Sequence, residues 1–307
     1  MRNAKRDKRS PVKKLLLVWL PALLVVVLAV FLLDYLTGYE IHRDVAYGEK
    51  EANVMDVFLP NGYKEGDRVG CVVMIHGGSW SGGDKREAGY KCRLLASRGY
   101  MAATVNYTLW SEETASEYTV SQVLDELDAS ILKLQEVAQA KGLILDKVAT
   151  EGYSAGAHLA LLYAYSRGET APVEIAFAAS MAGPAHIYPE AWGEEMTARV
   201  ARRLTGVEIT PEMLRAGEAD GILDAISPTA YIDQAAPPTL LMQGGRDTVV
   251  PPANAEALAD GLSKHGVPYR YIYLSRSDHG LWQNPLRHLT YYRALLQYCR
   301  AYFESYT

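Results

Sequence analysis

The chain alternates between short, continuous apolar runs and longer stretches in which apolar residues recur at helical spacing. Continuous apolar runs are typical of strands that are buried on both faces of a parallel sheet. From residue 69 onward the two kinds of segment alternate, which predicts an α/β fold: a mostly parallel sheet with helices on both faces. Strands are predicted at 40–47, 53–59, 69–76, 100–106, 147–152, 174–181, 239–243 and 269–274, the first two antiparallel. Helices are predicted at 84–98, 119–141, 155–166, 252–265 and 285–302.

Residues 184–236 interrupt this alternation. The segment is rich in proline, glycine, glutamate and arginine, and it has short helical patterns near 194–204 and 211–217. Structureless loops of this length are uncommon in compact domains, so the segment is predicted to be a cap insertion over the strand ends. The pattern therefore predicts one domain, 39–307, that carries this insertion.

A different apolar segment lies near the N-terminus. Residues 15–33 carry no charge and, as a helix, would nearly span a hydrocarbon layer of about 30 Å. The basic segment 1–14 precedes them and Asp34 follows, which predicts a cytoplasmic N-terminus and an exported body. An uncleaved, single-pass transmembrane signal anchor is the first expectation. Secretion after cleavage near residues 35–40 is the main alternative, and a buried soluble helix is another.

Charge and composition narrow the class of function. The whole chain has a net charge of −5 although residues 1–14 are strongly basic, so the body is mildly acidic. A nucleic-acid-binding face would be basic, and no nucleic-acid partner is predicted. No cluster of histidine, cysteine or acidic residues has metal-ligand spacing, so neither a metal nor a cofactor is expected. The 3 cysteines imply no disulfide framework, although a Cys71–Cys92 bridge is left open.

The strongest chemical signal is the G-x-S-x-G sequence from Gly152 to Gly156, between a predicted strand and a predicted helix. In this context the serine is expected on a sharp, strained turn that exposes its oxygen above the sheet. The flanking glycines let the strand and the helix approach each other without a Cβ clash. Ser154 is therefore the predicted nucleophile.

A second signal follows the first long apolar strand, where the chain reads His76-Gly77-Gly78-Ser79-Trp80. A glycine-rich turn at a strand end can aim backbone N–H groups at the oxyanion that forms during acyl transfer. Glycines alone are a weak signal, because a plain turn has the same composition. Together with the serine turn, they predict an oxyanion hole.

The serine needs a base and the base needs a carboxylate. His279 follows the last predicted strand, which places it at the same sheet edge as Ser154. Asp247 follows the 239–243 strand, and the order Ser154, Asp247, His279 is the order of this kind of fold. Asp278 is the alternative acid, although its adjacency to His279 aims it poorly at the ring. His186, in the insertion, is a candidate for substrate contact.

These motifs resemble the α/β-hydrolase superfamily over residues 40–305, and in it the hormone-sensitive-lipase-like and bacterial feruloyl-esterase-like carboxylesterases. The resemblance rests on HGGSW, GYSAGAHLA, GGRDTVVP and SDHG. Kynurenine formamidases are similar too. The resemblance implies Ser154, Asp247 and His279 as the triad, and the backbone N–H groups of Gly78, Ser79 and Ala155 as the oxyanion hole. Many relatives have a third glycine in place of Ser79. This difference puts the access of bulky or tertiary-alcohol esters to the site in doubt.

The predicted activity is hydrolysis of small or moderate acyl esters, such as acetylated or feruloylated sugars, through an acyl-enzyme. The candidate substrate-binding residues are Trp80, Trp110, Tyr153 and Trp192. An amidase or arylformamidase would use the same triad and stays an alternative. An exopeptidase, for which Glu194 and Glu195 offer weak support, and a non-catalytic binding module are further alternatives. The partners expected are a small-molecule ester and, through residues 15–33, a membrane.

Overall fold

A computed structural model describes residues 21, 23–29, 32, 38–115, 118–281 and 285–303. The strands are β1 Tyr39–Ala46, β2 Val54–Pro60, β3 Arg68–Ile75, β4 Met101–Val105, β5 Ile144–Tyr153, β6 Glu174–Met181, β7 Thr239–Gly244 and β8 Tyr269–Leu274. The helices after residue 38 are α1 Gly89–Ala96, α2 Val120–Ala140, α3 Ala155–Ser166, α4 Pro189–Trp192, α5 Glu194–Thr205, α6 Pro211–Ala216, α7 Asp220–Ile226, α8 Ala253–Lys264 and α9 Pro285–Phe303. Short 3-10 turns lie at Lys85–Ala88 and Pro228–Tyr231.

The strands form an eight-stranded sheet in the order β1-β2-β4-β3-β5-β6-β7-β8. β2 is antiparallel to both β1 and β4, and the pairs from β4 through β8 are parallel. The predicted α/β architecture, with its antiparallel first pair, is therefore confirmed. Because β3, β5, β7 and β8 run in the same direction, their carboxyl ends meet at one edge of the sheet.

Each face of the sheet packs against its own helices. Along β3, Cys71, Val73 and Ile75 belong to the hydrophobic cluster that includes α2, α3 and α8. The alternate residues Val72 and Met74 belong to the cluster that includes α1 and α9. Successive side chains of a strand point to opposite faces, which explains why a strand covered on both sides reads as a continuous apolar run.

The insertion 184–236 is helical, with α4 to α7 between β6 and β7. Its apolar side chains, among them Ala201, Leu204, Leu223 and Ile226, are buried in the same cluster as α2 and α3. Helix α5 matches the helical pattern near 194–204 and α6 that near 211–217, whereas α4 and α7 have no predicted counterpart.

Two sequence expectations concern the cysteines and the N-terminal segment. Cys71, Cys92 and Cys299 are all buried, and none of them forms a disulfide bond, so the Cys71–Cys92 bridge left open above is absent. In the described ranges, no helix is long and apolar enough to cross a membrane. The predicted anchor at 15–33 lies mostly outside the described residues, which include only 21, 23–29 and 32 of that segment.

Candidate active site

Ser154 occupies a strained turn between β5 and α3. Its backbone has φ 55° and ψ −123°, outside the regions that a non-glycine residue ordinarily adopts. The turn is tight enough to require the flanking glycines: a Cβ on Gly156 would lie 2.1 Å from the carbonyl oxygen of Ile75, and a Cβ on Gly152 2.2 Å from the carbonyl carbon of Gly156. The strained turn expected from the G-x-S-x-G sequence is therefore present.

Three side chains from three strand ends meet at this turn. Ser154 follows β5 and His279 follows β8. The hydroxyl of Ser154 lies 2.9 Å from Nε2 of His279. Nδ1 of His279 and Oδ2 of Asp247, which follows β7, lie 2.8 Å apart. With the ring proton on Nδ1, the imidazole donates to Asp247, and Nε2 is left to accept the hydroxyl proton of Ser154.

Asp247 is buried and its carboxylate is held from several sides. Its Oδ1 accepts hydrogen bonds from the backbone N–H groups of Val249, at 2.9 Å, and Val250, at 2.8 Å. Its Oδ2 accepts a hydrogen bond from Nε2 of Gln243 at 3.0 Å, in addition to the one from His279. Four donors thus fix an acceptor-only, ionised carboxylate. Asp278, the alternative acid, accepts instead from the backbone N–H of Gly280.

The glycine-rich loop after β3 lies beside the serine turn, since Ile75 of β3 pairs with Gly152 of β5. Ser79 and Trp80 both have left-handed backbones, with φ 52° and 60°. Non-glycine residues pay roughly 1–3 kcal/mol for such conformations, which persist when surrounding contacts enforce them. Ser79 and Ala155 line the cavity at Ser154, whereas Gly78, at φ 111°, is absent from the described lining.

A cavity of about 390 Å³ opens at Ser154, a size suited to a small ligand. Of the predicted substrate-binding residues, Trp80 and Trp192 line this cavity. Trp110 lies in the wall of a neighbouring cavity, which shares Arg199 and Arg203 of α5 with this one. The lining consists of Ser79, Trp80, Ser154, Ala155, Pro184, Trp192, Met196, Arg199, Val200, Arg203, Thr248, Val249 and Val250.

Tyr153 lies in the wall of a separate cavity of about 210 Å³. Its ring packs against that of His279 with centroids 5.3 Å apart, and its hydroxyl donates to the backbone carbonyl of His279 at 2.9 Å. Burial, and then the nearby charge of Asp247, raise the pKa of Tyr153 to about 12, so this hydroxyl keeps its proton. Tyr153 therefore braces the histidine loop.

His158, fully buried one turn into α3, connects three parts of the site. Its Nδ1 accepts a hydrogen bond from Nε1 of Trp80 at 3.2 Å. Its Nε2 donates to the backbone carbonyl of Ile226, in the insertion, at 2.8 Å. Burial lowers the pKa of His158 to about 4, so the ring is neutral near pH 7 and both of its nitrogens are satisfied. No sequence motif identifies these two partners of His158.

The other histidines near the site have structural partners. Nδ1 of His76 bonds the carbonyl of Gly77 at 2.8 Å, and its ring stacks on Tyr107. His186 bonds Thr229 at 2.9 Å and Glu190 at 3.0 Å, and it is absent from the described cavity lining. Within the described residues, no three His, Cys, Asp or Glu side chains are grouped as metal ligands would be.

Several lining residues have no motif that could reveal them. Arg199 and Arg203 are contributed by the amphipathic helix α5, where charged residues at helical spacing ordinarily indicate a solvated face. The stretch Thr248–Val250 adjoins Asp247, and its sequence carries no separate signal that it lines a cavity.

The chain is similar to known proteins over most of its body. A family model described as BD-FAE matches residues 55–262. "Kynurenine formamidase" from Danio rerio is 33% identical over 119 residues, which cover 39% of this chain and 37% of that protein. "Esterase LipQ" from Mycobacterium tuberculosis is 25% identical over 233 residues, which cover 73% of this chain and 53% of that protein. The chain thus spans about half or less of the length of these curated relatives.

A solved structure gives a broader match. "Truncated form of carbohydrate esterase from gut microbiota" superposes with a TM-score of 0.71 at 17% identity. The match covers 87% of this chain and 98% of that chain. Similarity at this identity bears on the fold alone, and it confirms the predicted α/β-hydrolase fold.

Proposed function

The chain belongs to the BD-FAE family, and we propose that it is a serine hydrolase that cleaves carboxylic esters through an acyl-enzyme. One observation carries the proposal: Ser154 and His279 lie 2.9 Å apart, and His279 and Asp247 lie 2.8 Å apart. The similarity to "Esterase LipQ" supports ester hydrolysis. Because one fold hosts many activities, the geometry of the site, and not the fold, supports this activity.

In the first half of the reaction, Oγ of Ser154 attacks the ester carbonyl carbon while Nε2 of His279 takes its proton. Asp247 holds the ring in the tautomer that can accept this proton, and its charge stabilises the imidazolium that forms. The backbone N–H groups of Ser79 and Ala155, both in the cavity wall, donate to the oxyanion, with Gly78 as a further candidate donor. His279 then protonates the departing alkoxide, and the acyl group stays on Ser154.

In the second half, water attacks the acyl-enzyme carbonyl and His279 takes a proton from that water. The tetrahedral intermediate collapses, the proton returns to Ser154, and the carboxylic acid leaves. Donors that are fixed before the reaction need no rearrangement as the charge develops, and loss of one donor in another serine hydrolase costs about 10²–10³ in rate. The strained backbone of Ser79 and Trp80 is consistent with such prepositioning.

The proposed substrates are small or moderate acyl esters, with acetylated or feruloylated sugars as candidates. The support is the size of the cavity, about 390 Å³, and its position under helices of the insertion. Trp192 and Met196 of that insertion stand in its wall. A closed wall suits a short acyl chain better than a long one, which needs an open groove.

The direct test is Ser154→Ala, measured with p-nitrophenyl acetate and with a fluorophosphonate probe. The side chain loses only its oxygen, so the fold is retained and we expect hydrolysis and labelling to disappear together. Ser79→Ala is a matched control, because it removes a hydroxyl from the same cavity but keeps the backbone N–H. Activity of the Ser154→Ala protein within about tenfold of wild type would refute the nucleophile, since loss of a triad serine costs about 10⁶.

Amide cleavage is the second candidate, and the similarity to "Kynurenine formamidase" favours it. The same triad attacks an amide carbonyl, and His279 then protonates an amine that leaves less readily. Matched phenyl acetate, acetanilide and formanilide substrates distinguish the two activities. A higher kcat/KM on formanilide than on phenyl acetate would favour the formamidase.

We also propose that residues 15–33 attach the protein to a membrane with the catalytic domain outside the cytoplasm. The support is the uncharged sequence, its basic flank, and the apolar side chains described within it. Leu23, Val25 and Leu28 are 61%, 65% and 57% exposed. A contiguous exposed apolar patch marks a membrane or partner surface.

A further inference from the structure

The cavity at Ser154 has an unusual charge for a site that opens on an acidic protein. In the described lining, the only charged side chains are Arg199 and Arg203, and aspartate and glutamate are absent from it. Both arginines lie on α5, four residues and about one turn apart, so they share one face of the helix, between this cavity and the neighbouring one. The remaining walls are apolar or carry single hydroxyls, which leaves these two cations as the dominant local charge.

Arg203 is held in a fixed position next to the reaction centre. Its Nη1 donates a hydrogen bond to the backbone carbonyl of Ser79 at 3.1 Å. Its Cζ lies 4.5 Å from the centroid of the Trp110 ring, a cation–π geometry. The backbone N–H of Ser79 is one of the proposed oxyanion donors. The Arg203 guanidinium therefore contacts a residue that would itself contact the substrate carbonyl. The guanidinium has five N–H donors, and the bond to Ser79 uses one of them.

The ion pairs of the insertion leave both of these charges unneutralised. Arg202, between them in sequence, pairs with Glu208 at 2.9 Å, and Arg215 of α6 pairs with Glu194. Over the described ranges, no carboxylate lies within ion-pair distance of Arg199 or Arg203. Glu112, Glu195 and Glu208 line the neighbouring cavity, whose wall also includes Arg199, Arg202 and Arg203, but none of these glutamates lines the Ser154 cavity.

We propose that the enzyme takes esters that carry an anionic group, a carboxylate above all, which Arg203 and Arg199 bind beside the scissile bond. This substrate class rests on the proposed ester hydrolysis at Ser154. A guanidinium matches a carboxylate with two parallel N–H···O bonds, and such charge-assisted bonds are stronger than neutral ones. The anion can belong to the acyl part or to the alcohol part, since both parts of a substrate must fit in this cavity.

Two pairs of substrates test the proposal on the wild-type protein. In the first pair, mono-p-nitrophenyl glutarate carries an acyl carboxylate and p-nitrophenyl pentanoate is its neutral match. In the second pair, para-acetoxybenzoate carries the charge on the leaving group and para-acetoxybenzamide is neutral. We expect kcat/KM to favour the anion by about tenfold or more in at least one pair. The inference is overturned if the neutral ester is hydrolysed at least as well in both pairs.

Three glutamine substitutions locate the anion. Arg203→Gln and Arg199→Gln should each reduce the anionic-to-neutral ratio of kcat/KM several-fold, mostly through KM. Arg202→Gln is the matched control, because it removes the same charge from the same helix but not from this cavity, and it should keep the wild-type ratio. Arg199 is exposed, so its variant is expected to fold even if loss of the Arg203–Trp110 contact disturbs the other.

The outcomes separate this inference from the function on which it rests. Ser154-dependent hydrolysis of the neutral esters without an anion preference would leave the ester hydrolase standing and refute the anion site. An equal fall of the ratio in all three variants would indicate a general field of the helix and would also refute it. If none of the four esters is hydrolysed, the proposed function fails and the substrate class fails with it.

Discussion

Asp247 and Asp278 differ in their hydrogen bonds rather than in their distance along the chain from His279. Asp247 bonds Nδ1 of the ring at 2.8 Å, whereas Asp278 accepts from the backbone of Gly280. Asp247→Asn should therefore lower kcat by about 10⁴, because the amide favours the wrong ring tautomer. Asp278→Asn, measured with p-nitrophenyl acetate in parallel, should stay close to wild type. The opposite ranking of the two variants would mean that Asp278 is the acid.

The buried ring of His158 predicts a pH dependence of stability. Its pKa is about 4 in the folded protein, against about 6.5 when unfolded. The unfolded chain therefore binds the proton first as the pH falls, so the folded state loses stability between these two values and keeps it above them. From about pH 7 to about pH 5 the loss should be about 2 kcal/mol.

His158→Gln isolates this contribution, because glutamine can accept from Trp80 and donate to Ile226 but does not titrate. Urea unfolding at the two pH values should show a smaller loss of stability in the variant than in wild type. An identical loss in both proteins would show that His158 does not titrate in this range. Because the same ring orients Trp80, we also expect kcat of the variant to fall more than KM changes.

The insertion should determine which acyl chain lengths the enzyme hydrolyses fastest. Trp192 and Met196 wall the cavity, whereas Met213 of the same insertion is packed in its hydrophobic cluster. The intact enzyme should hydrolyse acetyl to butyryl esters faster than dodecanoyl esters. Met196→Ala should raise kcat/KM for an octanoyl ester relative to a butyryl ester about tenfold, since misfit of one or two methylenes costs about 1–3 kcal/mol.

Met213→Ala is the control for this element, because it shortens a methionine of the insertion that lies outside the described cavity lining. It should leave the chain-length profile unchanged while lowering stability slightly. If dodecanoyl esters were the best substrates of the intact enzyme, the insertion would not act as a wall. Trp192 is a less suitable probe, since its Nε1 also donates to the carbonyl of His186 and to Asn254.

At the scale of the whole molecule, the N-terminal segment predicts membrane association, which the catalytic domain alone does not predict. The full chain should fractionate with membranes and resist carbonate extraction. Leu24→Arg combined with Val27→Arg should release it, because an arginine at a helix centre costs about 2.5–3.5 kcal/mol of insertion free energy. Esterase activity of the released protein should equal that of wild type. Carbonate-extractable wild-type protein would contradict the anchor, and a shortened soluble form would favour cleavage near residues 35–40.

The apolar pattern predicted the order and type of the strands, with ends that differ from the structure by a few residues. This succeeded because burial on one or both faces of an element depends on spacing within that element. The helix predicted at 84–98 is shorter, since a 3-10 turn at Lys85–Ala88 precedes α1. Helices α4 and α7 were not predicted, because four- and seven-residue segments carry too few turns to show a period.

The residues of the candidate site also fall into two groups: those that the sequence identifies and those that only the folded structure identifies. Ser154, Asp247 and His279 could be named from the sequence, because each follows a predicted parallel strand and such strands end at one edge. Which other side chains reach them depends on loop paths and on packing between distant segments. Only the folded chain separates Trp110 and Tyr153 from the Ser154 cavity and brings in Arg203, through a carbonyl 124 positions away. Periodicity reports the neighbours within an element, whereas cavity walls are built from contacts between elements, which local spacing does not encode.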